Sequence, residues 1–141
     1  MKKLFAMLFT AGALALTACQ PNVYSANDTQ VKLKDKGYTV EVFSYEEAKV
    51  RIKNLNYDIV SFNNAVYAEK GTEENKDLLI AFYFATIDDA SKFMDGNNYE
   101  NMGLLNTFGQ NNLGSNLTVK VGTHNNVAYV GSQTSFSAAF E

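Results

Sequence analysis

Cysteine is almost missing from this chain. Cys19 is the only one in 141 residues, so no intrachain disulfide can form and the fold must rest on its apolar core. Histidine is as scarce. With His124 alone, a zinc centre built from clustered Cys and His is excluded. Tryptophan is absent, and the one proline, Pro21, falls in a polar stretch after Cys19. Positive charge is also short, with 12 Lys and Arg against 15 Asp and Glu. That balance leaves no basic footprint for nucleic acid or anionic headgroups. Long apolar runs are missing too. The 13 uncharged residues from Leu4 to Leu16 fall short of the ~20 a membrane-crossing helix needs.

What stands at the start is a positive pair, Lys2 and Lys3, then that apolar run, then Leu16-Thr17-Ala18-Cys19. The order is that of a secretory signal. Ala18 suits an ordinary cleavage site, but Leu16 does not. Leucine, two small residues and cysteine closely resemble a bacterial lipobox. The resemblance covers residues 1–19. It implies a diacylglyceryl group on the Cys19 sulfur, cleavage before Cys19 and acylation of the new amino terminus. Each buried methylene adds ~0.8 kcal/mol of membrane affinity, so two or three acyl chains anchor durably. The expected address is the extracytoplasmic face of the cell membrane, with the bilayer as first partner.

Three segments follow: a signal peptide over 1–18, a lipidated tether over 19–27 and one domain over 28–141. Loss of Lys2 and Lys3 with the signal leaves 10 basic against 15 acidic residues, a net charge of −5. The remaining 123 residues suit one core, and 8 Tyr with 10 Phe in the full chain argue against disorder.

The domain reads as α+β. Asp28 to Lys36 predicts a helix stopped by Gly37. Tyr38 to Phe43 alternates as a half-buried strand. Ser44 and Glu47 form a capping box for a helix carrying Tyr45, Ala48, Ile52 and Leu55, ending near Asn56. Ile59 to Lys70 reads as extended, interrupted at Asn63-Asn64, with Val60, Phe62, Val66 and Ala68 on one face. Leu78 to Ala85 is apolar on both faces, as a central covered strand would be. Thr86 and Asp89 open another helix. Gly96 to Ser115 reads as an Asn- and Gly-rich loop with a short turn around Met102 to Phe108. Leu117 to Val121 and Val127 to Val130 form a hairpin across His124-Asn125-Asn126, and Ser132 to Phe140 closes as a helix. The middle order is βαββαβ, which predicts a ferredoxin-like split βαβ sheet with an added N-terminal helix and a C-terminal hairpin and helix.

No catalytic constellation emerges. His124 lies in a predicted turn, no Gly-x-Ser-x-Gly elbow occurs, and the only thiol is assigned to lipidation. The acidic pairs Glu46-Glu47, Glu73-Glu74 and Asp88-Asp89 suit helix starts and turns, where they complement the helix dipole. Asp95, Asn97 and Glu100 gather hard oxygen ligands that calcium uses, without the complete EF-hand spacing. No cofactor is assigned.

The remaining feature is a sheet face. With Val40, Val42, Ile80, Phe82, Phe84, Val119 and Val121 turned to the helices, Glu41, Tyr67, Tyr83 and Lys120 share the opposite side. Tyrosines among mixed polar neighbours suit an interaction surface. The expectation is a non-catalytic binding module for an envelope protein or small ligand. The alternatives are a self-associating structural lipoprotein, dimeric through that face, and an envelope hydrolase using carboxylates.

Overall fold

A computed structural model describes residues 23–141. The lipobox, Leu16 to Ala18, and Cys19 lie outside the described residues.

The chain begins its fold with α1 (Ala26–Asp35), capped by the Ser25 hydroxyl and ended by Gly37 in the left-handed region at φ +88°. β1 (Thr39–Ser44) leads directly into α2 (Tyr45–Arg51), where both halves of the Ser44/Glu47 capping box form. β2 (Asn64–Lys70) starts at the asparagine pair, and a single 3-10 turn, Glu73–Asn75, joins it to β3 (Asp77–Tyr83). α3 spans Ile87–Asn112 with a break from Gly96 to Tyr99. The hairpin β4 (Lys120–His124) and β5 (Val127–Gly131) precedes α4 (Gln133–Phe140).

The five strands form one antiparallel sheet in the order β1-β2-β3-β5-β4. This is not the split βαβ arrangement. There, the strands flanking the first helix run parallel with a third strand between them. Here β1 and β2 pair directly and antiparallel, Thr39 opposite Glu69 and Ser44 opposite Asn64. The physical reason is that α2 is under two turns long and does not carry the chain back along the sheet. The 12 residues after it return the chain from the same end.

β3 is the centre, as its apolar composition predicts, with all seven residues buried. Both sheet faces are covered. α2 and α3 cover Phe43, Ala65, Ile80, Phe82 and Val130, and the rings of Phe62, Phe82, Phe84 and Phe93 meet there at centroid distances of 5.0–6.0 Å. Such pairs add ~0.5–1.5 kcal/mol beyond area burial. α1 and α4 cover Val40, Val66, Leu79, Ala81 and Tyr129 on the other side. Phe62 therefore faces α3 while Val66 and Ala68 face α1, so the expected common face does not form.

The segment from Gly96 to Ser115 also differs from expectation, being helical from 100 to 112 after the break. Leu105 and Gly109 bury themselves against the sheet and Asn101 is fully enclosed. Tertiary burial here overrides the weak helix propensity of Asn and Gly. α2 in turn stops at Arg51 rather than near Asn56, although Ile52 still packs in the core and Leu55 against it.

Candidate functional site

The expected tyrosine face is divided between the two sides of the sheet. Glu41 pairs with Tyr67, and Tyr67 with Ile80, which puts all three on the α2/α3 side. Tyr83 lies on the α1/α4 side, 3% exposed, with its hydroxyl on Thr29 of α1. Lys120 shares that side, where its Nζ sits 3.9 Å from the Phe136 ring centroid and donates to Gln133 Oε1 at 2.9 Å. The four residues are not one surface. Burial pushes the Tyr67 phenol up to about 12, helped by its bond to Glu69. Burial likewise holds Tyr83 well above the usual tyrosine range.

The loop expected to gather oxygen ligands has a different use. Asn97, Asn98 and Tyr99 all take left-handed backbone angles, breaking α3 in two. Glu100 accepts from the side-chain amides of Asn56 and Asn97, which hold its carboxyl below the usual range. Asp95 is exposed. Among the described residues no group of three His, Cys, Asp or Glu stands close enough to hold a metal ion.

His124 lies at the end of β4 with Nε2 3.0 Å from the Tyr24 hydroxyl, its ring against Phe136 and Phe140. Among the described residues, the one buried carboxylate is Asp77. It accepts from Tyr38 and from Ser132, each at 2.6 Å. Ser132 is 2% exposed and its hydroxyl proton is directed at Asp77, so it is not presented to a substrate. The pair ties β3 to the start of α4. Sequence reasoning missed it, because nothing in the local pattern around Asp77 marks a buried partner more than fifty positions away.

Beside this pair, a surface groove of about 510 Å³ runs between α1 and α4. Lys32, Lys36 and Lys70 line it, with Asp35 and Glu141 as the opposing charges and the hydroxyl residues Thr134 and Ser137 on the α4 side. Gly37 turns the chain so that Tyr38 forms the floor, and Lys70 reaches across to donate to the Lys36 carbonyl at 2.7 Å. An ammonium group has three donors, so two on Lys70 remain for other partners. Lys32 and Lys36 sit in and just after the last turn of α1, where their charge complements the helix dipole. Three ammonium groups, with hydroxyl donors opposite, can receive a ligand's carboxylate or phosphate. No sequence motif marks this groove, since its lining comes from α1, β2 and α4 and converges only on folding.

Among the described residues no helix is long and apolar enough to cross a membrane. No family model, curated protein or solved structure matches this chain.

Proposed function

We propose that this protein is a lipid-anchored binding module on the extracytoplasmic face of the cell membrane. Its acylated Cys19 is the anchor, and the groove between α1 and α4 is the seat for a ligand bearing a carboxylate or phosphate. The anchor reading rests on Lys2, Lys3, the apolar run and Leu16-Thr17-Ala18-Cys19. The binding reading rests on one observation: Lys32, Lys36 and Lys70 converge on a groove whose far wall offers Thr134 and Ser137. The role is recognition rather than turnover. The groove's one buried hydroxyl, on Tyr38, already serves Asp77.

Two measurements test the two halves. For the groove, the full-length protein in detergent is titrated calorimetrically with citrate and with inorganic pyrophosphate as probes. Binding to either is expected, with loss in Lys36→Glu/Lys70→Glu and retention in Lys53→Glu, which alters a lysine outside the groove. No heat from either probe, or equal binding by the double variant, refutes the groove. For the anchor, cells are fed an alkyne-tagged fatty acid. Label is expected on the protein and absent from Cys19→Ser.

A further inference from the structure

The fold holds its first described residues at one place. Tyr24 donates its N–H to Asn126 Oδ1 at 2.7 Å, and Asn126 Nδ2 donates back to the Tyr24 carbonyl at 3.0 Å. The same amide donates to the Phe84 carbonyl at 3.0 Å, at the end of the central strand. The Tyr24 hydroxyl lies 3.0 Å from His124 Nε2, and its ring meets Phe140 edge-on at 5.5 Å. Asn126 is 1% exposed. The chain is thus fastened to the β4–β5 turn, earlier than the position 28 at which the sequence places the domain start.

Cys19 and Tyr24 are five residues apart. A fully extended chain of that length reaches ~18 Å at most. β2 alone, at seven residues, is roughly 23 Å long. The span between anchor and fastening is therefore shorter than the sheet is deep.

From this we infer that the domain stands on the bilayer with a defined end toward the lipid. This rests on the anchor reading above. The end toward the lipid carries the β4–β5 turn and the starts of α1 and α3. Two of the exposed large apolar residues, Val23 and Ile87, lie at it. Glu46, Glu47, Asp88 and Asp89 open α2 and α3 at the same end, so the acyl anchor and not headgroup charge holds it there. The opposite end carries Gly37, Lys70 and the Glu73–Asn75 turn. The α1 residues that line the groove, Lys32, Asp35 and Lys36, lie in and just after the far half of that helix. The ligand that it meets comes from the surrounding space and not from the bilayer beneath.

Energy transfer tests the orientation. In the full-length, acylated protein reconstituted in phosphatidylcholine nanodiscs, single cysteines at Asn27, Asp88 or Thr72 carry a donor dye. A headgroup-linked lipid carries the acceptor. All three positions are exposed. Transfer from Asn27→Cys and Asp88→Cys is expected to exceed that from Thr72→Cys several-fold. A long Gly-Ser spacer inserted before Val23 should remove the difference. Equal or reversed transfer in protein whose Cys19 carries the fatty-acid label overturns the orientation and leaves the anchor standing. Absence of label on Cys19 overturns the anchor reading, and the orientation with it.

Discussion

Ser132 donates its hydroxyl to the Asp77 carboxylate at 2.6 Å, joining the start of the last helix to the first residue of the central strand. The same oxygen accepts the Ser135 N–H at 3.0 Å as the helix cap. Tyr38 supplies the carboxylate's other side chain donor. One buried charge thereby sets the relative positions of β1, β3 and α4.

Removing either donor leaves that charge half satisfied. Hydrogen bonds to charged groups contribute about 1.5–3 kcal/mol each. Tyr38→Phe is expected to lower unfolding free energy by that amount. Ser132→Ala is expected to lower it further, because a cap contributing ~1 kcal/mol goes as well. The two should be non-additive, since they share Asp77. Urea denaturation of both single variants and the double variant checks this.

Two glycines of α3 should respond oppositely to alanine. At Gly109 a Cβ would come within 2.8 Å of Val119 Cγ1 and 2.9 Å of Val130 Cγ2, so the helix could not keep its distance from the sheet. Overpacking of this kind costs about 1–3 kcal/mol, which outweighs the ~1 kcal/mol gained in helix propensity. At Gly103 nothing lies within 4 Å. Gly103→Ala is expected to stabilise by ~0.5–1 kcal/mol and Gly109→Ala to destabilise, read as opposite shifts in melting temperature.

Asn101 closes three backbone groups at once. Its side chain accepts the Asn56 N–H at 2.7 Å and donates to the carbonyls of Asn56 and Phe93 at 2.9 and 3.0 Å. A buried polar group left without a partner costs about 1–3 kcal/mol. Asn101→Ala strands the Asn56 N–H and part of two carbonyls, and is expected to cost at least that much. Hydrogen exchange at the Asn56 amide should accelerate. Unchanged exchange there would contradict the bonding.

The tyrosines make the fold sensitive to alkali. Burial raises Tyr38, Tyr57, Tyr67, Tyr83 and Tyr129, with Tyr67 at about 12. An unfolded tyrosine titrates near 10. The native state then keeps phenolic protons that the unfolded chain would release. Their contribution is complete below about pH 10 and is lost as pH rises toward the folded values. Stability is expected to be level at neutral pH and to fall steeply above 10. The tyrosinate absorbance of these five residues should rise together with loss of helical signal rather than before it.

Elements whose causes are local can be read from the residues in order. Ser44 with Glu47 and Thr86 with Asp89 satisfy the first amides of their own helices, so those starts were readable. Leu78 to Tyr83 is apolar on both faces, which only a covered central strand tolerates. Tertiary structure decided the rest. Alternation within β1 puts Val40 and Val42 together, but only the pairing of Val42 with Val66, and Val66 with Ala81, decides which face of β3 they join. A shift of one residue in either pairing exchanges the faces, so Tyr67 and Tyr83 fell on opposite sides. The helix after Tyr99 has the same kind of cause. Its Asn and Gly residues form a helix because Leu105 and Gly109 find a sheet to pack against, and a sheet is not a property of that segment. The groove and the Asp77–Ser132 contact likewise exist only once distant strands and helices have met.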